Sequence, residues 1–231
     1  MDLNFWKNKK VFITGSSGFK GSWLTFWLIK LGANVCGYSL SDTVNNLLFN
    51  RLKIKNNSEQ IFADIRNYET LKKSINKFKP EIIVHMAAQS IVRESFENPI
   101  YTFETNIIGT ANLLEISKEL SSIKSILVIT SDKCYENIEK NISYKETDKM
   151  GGHDPYSASK GCAELIAASY HRSFFYDSYD VSLATARAGN VIGGGDWATD
   201  RLIPDFVRAL QNESAIEIRY PNSLRPWQYV L

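Results

Sequence analysis

The chain has 231 residues, of which 44% are hydrophobic and 23% charged, with a net charge of +2. That composition suits a soluble globular protein with a substantial core. The near-neutral balance excludes a general electrostatic pull toward nucleic acid or an anionic membrane.

The elements alternate along the chain. "KKVFITG" (9–15) is a short β-branched run ending in glycine, and "FKGSWLTFWLIKLG" (19–32) has helical spacing that stops at Gly32. "ANVCGYSL" (33–40) predicts a second strand. A polar loop with a short helix follows to about Gln60. "IFADIRN" (61–67) predicts a third strand, and "YETLKKSINKF" (68–78) an amphipathic helix closed by Pro80. "EIIVHMAA" (81–88) reads as a buried strand, 100–120 as one long helix, "KSILVITSD" (124–132) as a strand and 155–176 as a helix. "YDVSLATARAGNV" (179–191) begins as a strand. Strand and helix at this rhythm make βαβ units on a doubly wound parallel sheet. The strands read as continuous apolar runs, as strands covered on both faces do. After about residue 190 the rhythm gives way to "GGGDW", a short helix "RLIPDFVRAL" and a strand-like "AIEIRY". The expected division is therefore 1–190 and a partial unit over 191–231.

Cys36, Cys134 and Cys162 are far apart and odd in number. His85, His153 and His171 match no metal-binding spacing, so neither a metal nor a disulfide is expected. The most apolar window, "WLTFWLIKL", is too short to span a bilayer and carries Lys30. No signal-peptide pattern opens the chain, and a cytoplasmic location is expected.

Three stretches carry candidate chemistry. In "VFITGSSGFKG", Gly15, Gly18 and Gly21 follow a strand and open a helix. A tight turn, a close backbone approach to a pyrophosphate and close helix packing each call for glycine there. The acidic residue usual at the end of the second strand is missing; Asp42 lies late, and no arginine stands nearby, which favours NAD over NADP. Asp64 and Ile65 stand where an adenine could be bonded and packed, although the same pair also suits a plain strand-end turn. "ITSDKCY" (129–135) ends a buried strand, which would aim Ser131, Asp132 and Lys133 into the crevice beyond the sheet. In "DPYSASKGCAEL", Tyr156 and Lys160 lie one helical turn apart. A lysine beside a tyrosine favours the phenolate and makes a base usable near neutral pH. Taken alone, that pair is more often a solvated helix face; the order of all the motifs is what argues for a site.

"TGSSGFKG", "HMAAQ", "TSD" and "YSASK", in this order, resemble the extended short-chain dehydrogenase/reductase family of nucleotide-sugar enzymes, over essentially the whole chain. The longer strings "TSDKCYEN", "GGHDPYSASKGCAEL", "RAGNVIGGGDW" and "RPWQYVL" are similar to its CDP-sugar branch of 4,6-dehydratases. The resemblance implies a Rossmann fold with the start of a small substrate domain that continues, in the family, beyond "RPWQYVL". A truncated chain that binds NAD without activity is the alternative reading, with another nucleotide-sugar dehydratase or an epimerase as a further one.

The resemblance further implies NAD held by Gly15, Ser17, Gly18, Phe19, Gly21, Asp64, Ile65, Ala87, Ala88, Gln89, Asn106, Tyr156 and Lys160. CDP-glucose would lose water to give CDP-4-dehydro-6-deoxy-D-glucose, which supplies deoxysugars for lipopolysaccharide. Tyr156 would take the C4 hydroxyl proton, with Lys160 lowering its pKa and Ser131 bonding the same oxygen. Asp132 would be the acid for the leaving C6 hydroxyl, its pKa raised by burial. The better-known dTDP-glucose dehydratases carry Glu, as the C5 base, where this chain has Lys133; Lys133 is then either a base or a cation stabilising an enolate. Asn190, Arg201 and Arg225 would contact the nucleotide-sugar phosphates, with Trp197 and Trp227 able to line that pocket. Helices 100–120 and 155–176 would form the seam of a homodimer or of a higher homo-oligomer.

Overall fold

The computed structural model describes residues 2–40, 47–137, 142–176 and 181–231. Its strands are β1 (Lys10–Thr14), β2 (Asn34–Ser39), β3 (Glu59–Phe62), β4 (Ile82–His85), β5 (Ser125–Ile129) and β6 (Ser182–Ala186). They form one sheet in the order β3-β2-β1-β4-β5-β6, with every pairing parallel. The order reverses between β1 and β4, which opens a crevice at their carboxyl ends.

Alternate side chains of the strands feed two cores. Phe12, Ile83 and Ile126 face one way and pack with α3 (Tyr68–Phe78) and α6 (Gly109–Ser117) through Leu71, Ile75, Leu113 and Leu114. Val11, Ile13, Val35 and Val84 face the other way and meet Leu28 of α1 (Phe19–Lys30). Full burial of each such side chain contributes about 1.5–3 kcal/mol, and burial on both sides explains the unbroken apolar runs.

Local signals set the helix ends. Asn67 caps α3 by accepting from the Thr70 N–H at 3.0 Å, and Lys79 takes a left-handed conformation before Pro80. Gly32 ends α1 with φ +82°. α7 (Pro155–Tyr170) begins with Asp154 accepting from the Ser157 N–H at 2.9 Å and Pro155 at its first position.

Four expectations need correction. The third strand ends at Phe62 rather than Asn67, because the Asp64 carboxylate accepts the Arg66 N–H at 2.8 Å and turns the chain. Residues 100–120 are α5 (Pro99–Phe103), a π turn (Glu104–Ile108) and α6, preceded by a separate α4 (Val92–Glu97) that Asn98 and Pro99 divide from α5. The 155–176 helix likewise ends in a π turn, His171–Phe175. Residues 215–220 form no strand: Ile218 is 54% exposed, and no neighbour offers a ladder. Instead β7 (Asn190–Ile192) pairs in parallel with β8 (Trp227–Tyr229), flanking α8 (Leu202–Gln211).

His85, at the end of β4, is 2% exposed. Its Nδ1 lies 2.7 Å from Thr14 Oγ1 and its Nε2 3.0 Å from Thr110 Oγ1. Burial, helped by the Lys160 charge, pushes its pKa down to about 3. Below pH ~6.5 the unfolded chain takes up a proton that the folded chain refuses. Stability contributed by neutral His85 is therefore full above that pH and falls as pH drops toward 3, by about 1.4 kcal/mol per pH unit. Urea midpoints at pH 7 and pH 4 measure this; His85→Asn is expected to flatten the difference, and an unchanged pH dependence would refute it.

Candidate active site

A cleft of about 1830 Å³ opens at the carboxyl ends of β1, β4 and β5. Its floor is the loop after β1. Gly15 has φ +73°, donates its N–H to the Tyr38 carbonyl at 2.7 Å, and leaves no room for a Cβ, which would stand 2.8 Å from the Ala87 nitrogen. A Cβ on Gly21 would lie 2.0 Å from the Gly15 carbonyl oxygen. Gly18 opens α1 with no side-chain cap, so the first N–H groups of the helix face the cleft without an acceptor. A Cβ there would meet only the Gly15 oxygen, at 3.4 Å. This is a cradle for an anionic group. Ser17, 8% exposed, donates its N–H to Ser39 Oγ at 3.0 Å and lines the cleft beside Phe19.

One wall carries Asp64, whose carboxylate accepts from Arg66 Nη2 at 2.7 Å and Nε at 3.1 Å. The Arg66 guanidinium holds the Asp64 pKa below the usual range. Arg66 also pairs with Glu104 and stacks on Tyr101. Ile65 borders the cleft but is 4% exposed and belongs mainly to the core. Ala87 and Ala88 line the opposite wall. Gln89 and Asn106 do not reach the cleft with their side chains: Gln89 donates to Thr102 and the Ile91 carbonyl, Asn106 to Ser159 and the Gln89 carbonyl. Both amides spend their two N–H donors behind the wall. Asp42 lies outside the described residues.

The catalytic candidates converge from two elements. Ser131 lies two residues past the end of β5, and Tyr156 and Lys160 come from the first turns of α7; they are 7%, 8% and 7% exposed. The Tyr156 hydroxyl lies close enough to Ser131 for that residue to pull its pKa down. Lys160 Nζ donates to the Ile129 carbonyl at 3.2 Å. Burial, aided by the nearby Lys20 charge, brings Lys160 down to about 8. The expected lowering of the Tyr156 pKa is corrected: burial raises it, against the downward pull of Ser131 and Arg201. A phenolate is costly in so dry a place. The expected burial of Asp132 is not found either. Its side chain is 30% exposed on a tight turn, accepts from Ser131 Oγ at 3.0 Å, and lies 3.8 Å from Lys133 Nζ.

Beneath these groups lies Glu164, one turn after Lys160 and 5% exposed. It accepts from Thr130, from Thr185 at 2.8 Å and from Arg187 at 3.0 and 3.1 Å. Burial pushes its pKa up, but these hydrogen bonds outweigh burial and hold it below the usual range.

On the far side Asn190, Arg225, Trp197 and Trp227 line the cleft. Arg201 pairs with Asp196 at 3.0 Å and donates to Ser90 Oγ at 3.0 Å, and Trp23 Nε1 donates to the Gly194 carbonyl at 2.9 Å. The last two bonds tie the 191–231 segment to the loop after β4 and to α1.

Sequence reasoning passed over Lys20, which lines the cleft from the first turn of α1. The available signal was its placement, since a helix N-terminus disfavours a cation.

Fold and site together define a doubly wound protein of the short-chain dehydrogenase/reductase kind. The chain belongs to the GDP-mannose 4,6 dehydratase family, whose profile matches residues 12–231. It is 53% identical to the CDP-glucose 4,6-dehydratase of Salmonella typhimurium over 100% of this chain, and spans 66% of that protein's length. Among solved structures it resembles the epimerase Mth375 of Methanothermobacter thermautotrophicus, with TM-score 0.86, 26% identity, and coverage of 99% of this chain and 66% of that one. It also resembles the dTDP-glucose 4,6-dehydratase DesIV of Streptomyces venezuelae, solved with NAD and TYD bound, with TM-score 0.83, 26% identity, and coverage of 96% and 68%. Among the described residues no helix is long and apolar enough to cross a membrane.

Proposed function

We propose that this chain binds NAD and converts CDP-glucose to CDP-4-dehydro-6-deoxy-D-glucose and water, in the cytoplasm, for deoxysugar and lipopolysaccharide synthesis. The carrying observation is the meeting of Ser131, Tyr156 and Lys160, with Asp132 beside them, at the end of the glycine-loop cleft. The 53% identical Salmonella relative supports the choice of substrate. The division into a cofactor unit over 1–190 and a substrate region over 191–231 is part of this reading.

The cradle fits a dinucleotide: Gly15, Ser17, Gly18, Phe19 and Gly21 offer backbone at a helix N-terminus, and Asp64 and Ala87 flank it. NAD bound there would supply a hydride acceptor and donor for the sugar and a positively charged oxidised ring. Such a charge would offset the burial that raises the Tyr156 pKa. Tyr156 takes the C4 hydroxyl proton while Ser131 bonds the same oxygen. Lys160 holds the nicotinamide ribose. Asp132 delivers a proton to the departing C6 hydroxyl; a simple 4-epimerisation needs no such acid, which favours dehydration. Arg201, fixed by Asp196, and Arg225 face the substrate diphosphate together with Asn190.

Self-association belongs to the same reading. Ile100, Ile108 and Leu165, on the 99–117 segment and α7, are 66%, 51% and 58% exposed. Light scattering on the eluting protein is expected to give twice the chain mass, and a monomer would remove this part.

The test mixes the chain with CDP-glucose and NAD and follows the absorbance of the 4-keto-6-deoxy sugar in alkali. Product that appears with CDP-glucose and not with dTDP-glucose supports the reading; CDP-glucose and NAD that bind without product would refute it.

A further inference from the structure

Elimination across C5 and C6 needs a base for the C5 proton, and the residues assigned above leave that place open. Tyr156 serves the C4 oxygen and Asp132 the leaving hydroxyl. Asp196 is bound to Arg201. Lys133 lies 3.8 Å from the Asp132 carboxylate, which draws its ammonium toward the acid.

Lys20 is the third lysine of the cleft, with Lys133 and the ribose-holding Lys160. It lines the same cleft as Ser131, Tyr156 and Lys160. The charges facing it are Arg201 and Asp196 from the 191–231 segment, Asp132 from the turn after β5, and Lys160 from α7. Among the described residues its ammonium has no hydrogen bond and no ion pair. Nothing in the fold requires it: a lysine in the first turn of α1 opposes the helix dipole and satisfies no neighbour.

We infer that Lys20 is the base that takes the C5 proton of the sugar, an assignment that rests on the dehydratase reading above. Burial first, then Arg201, lowers its pKa against Asp132 and Asp196, and so favours the neutral amine that a base requires. With C4 already a ketone, the amine takes the C5 proton and the C5–H electron pair passes into the ketone as an enolate. The enolate re-forms the ketone with a C5=C6 double bond as the C6–O bond breaks, and the hydroxide leaves as water with the Asp132 proton. After the hydride returns to C6, the Lys20 ammonium gives its proton to C5. Lys133, beside Asp132, steadies the carboxylate left when that proton is given up.

The half-reaction that isolates this role is exchange at C5 of the finished 4-keto-6-deoxy sugar nucleotide. It requires the base and no hydride transfer. The full chain is incubated with that product in deuterated water, and C5 deuterium is followed by NMR. Wild type exchanges, at a rate that rises with pH along a limb whose midpoint lies below the free-lysine value. Lys20→Met and Lys20→Arg are both expected to lose exchange by at least roughly 100-fold at saturating ligand, with CDP affinity within threefold and melting temperature unchanged. Arginine keeps the charge but cannot give up its proton. Exchange retained in Lys20→Arg overturns the assignment in favour of a charge, and weakened CDP binding with full exchange at saturation overturns it in favour of a ligand contact. Wild-type exchange matched by both variants sinks Lys20 alone. A wild type with neither exchange nor product sinks the dehydratase reading and Lys20 with it.

Discussion

Tyr156→Phe is expected to lower turnover of CDP-glucose by roughly 10²- to 10⁴-fold and to leave NAD binding and the melting temperature nearly unchanged. The phenol is 8% exposed, and a phenyl ring occupies the same space. Its partner Ser131 retains a bond to Asp132 at 3.0 Å, so the substitution strands no buried polar atom. The loop that would carry the dinucleotide is built from backbone around Gly15, Gly18 and Gly21, which Tyr156 does not touch. Turnover and calorimetric NAD affinity, measured on one preparation, separate the two possibilities. Loss of both would show that Tyr156 shapes the cleft and does no proton transfer. The raised phenol pKa sharpens the expectation. If bound NAD is what offsets burial, the pH at which Tyr156 titrates should fall when NAD is added to the free protein.

The second large effect divides two glycines of one loop. A methyl group at residue 21 would sit 2.0 Å from the Gly15 carbonyl oxygen and 2.8 Å from its carbon. Both are backbone, so α1 must move away from β1. Gly21→Ala is expected to cost about 3 kcal/mol, the upper end of overpacking penalties, and to lower the melting temperature by roughly 6–12 °C for a chain of this size. At residue 18 the same methyl meets one atom at 3.4 Å, an ordinary contact. Gly18→Ala is therefore expected to melt within about 1 °C of wild type and to weaken NAD binding at least tenfold, because the methyl occupies the path to the helix N-terminus. Scanning calorimetry with and without NAD checks both. Equal melting losses in the two variants would mean that the loop is not a ligand cradle.

The sheet was legible because strands buried on both faces leave continuous apolar runs. "VFITG" and "EIIVH" needed no partner information to be recognised, and α3 matched its predicted span, Tyr68–Phe78, because its caps are local. What failed was set by contacts distant in sequence. The π turn at 104–108 depends on Asn106 meeting Gln89 and Ser159, and the alternation of 215–220 imitates a strand that finds no neighbour. In the site, side-chain types in order were enough to bring Ser131, Tyr156 and Lys160 together. Direction was harder. Gln89 and Asn106 turn inward, and the Tyr156 pKa moves up because burial, invisible in a motif, outweighs a neighbouring charge. Lys20 was missed because a glycine pattern draws the eye to its glycines.

The carboxylate of Glu164 gives the reaction centre a common datum. Thr130 precedes Ser131 on one element, Lys160 stands four residues before Glu164 on another, and Thr185 and Arg187 bring in a third. Ser131 and Lys160 are thus located against the same fixed point, in addition to the Lys160 bond to the Ile129 carbonyl. A small tilt of α7 or a slide of the strand end shifts both together, so the spacing between hydroxyl and ammonium is insulated from the breathing of the sheet.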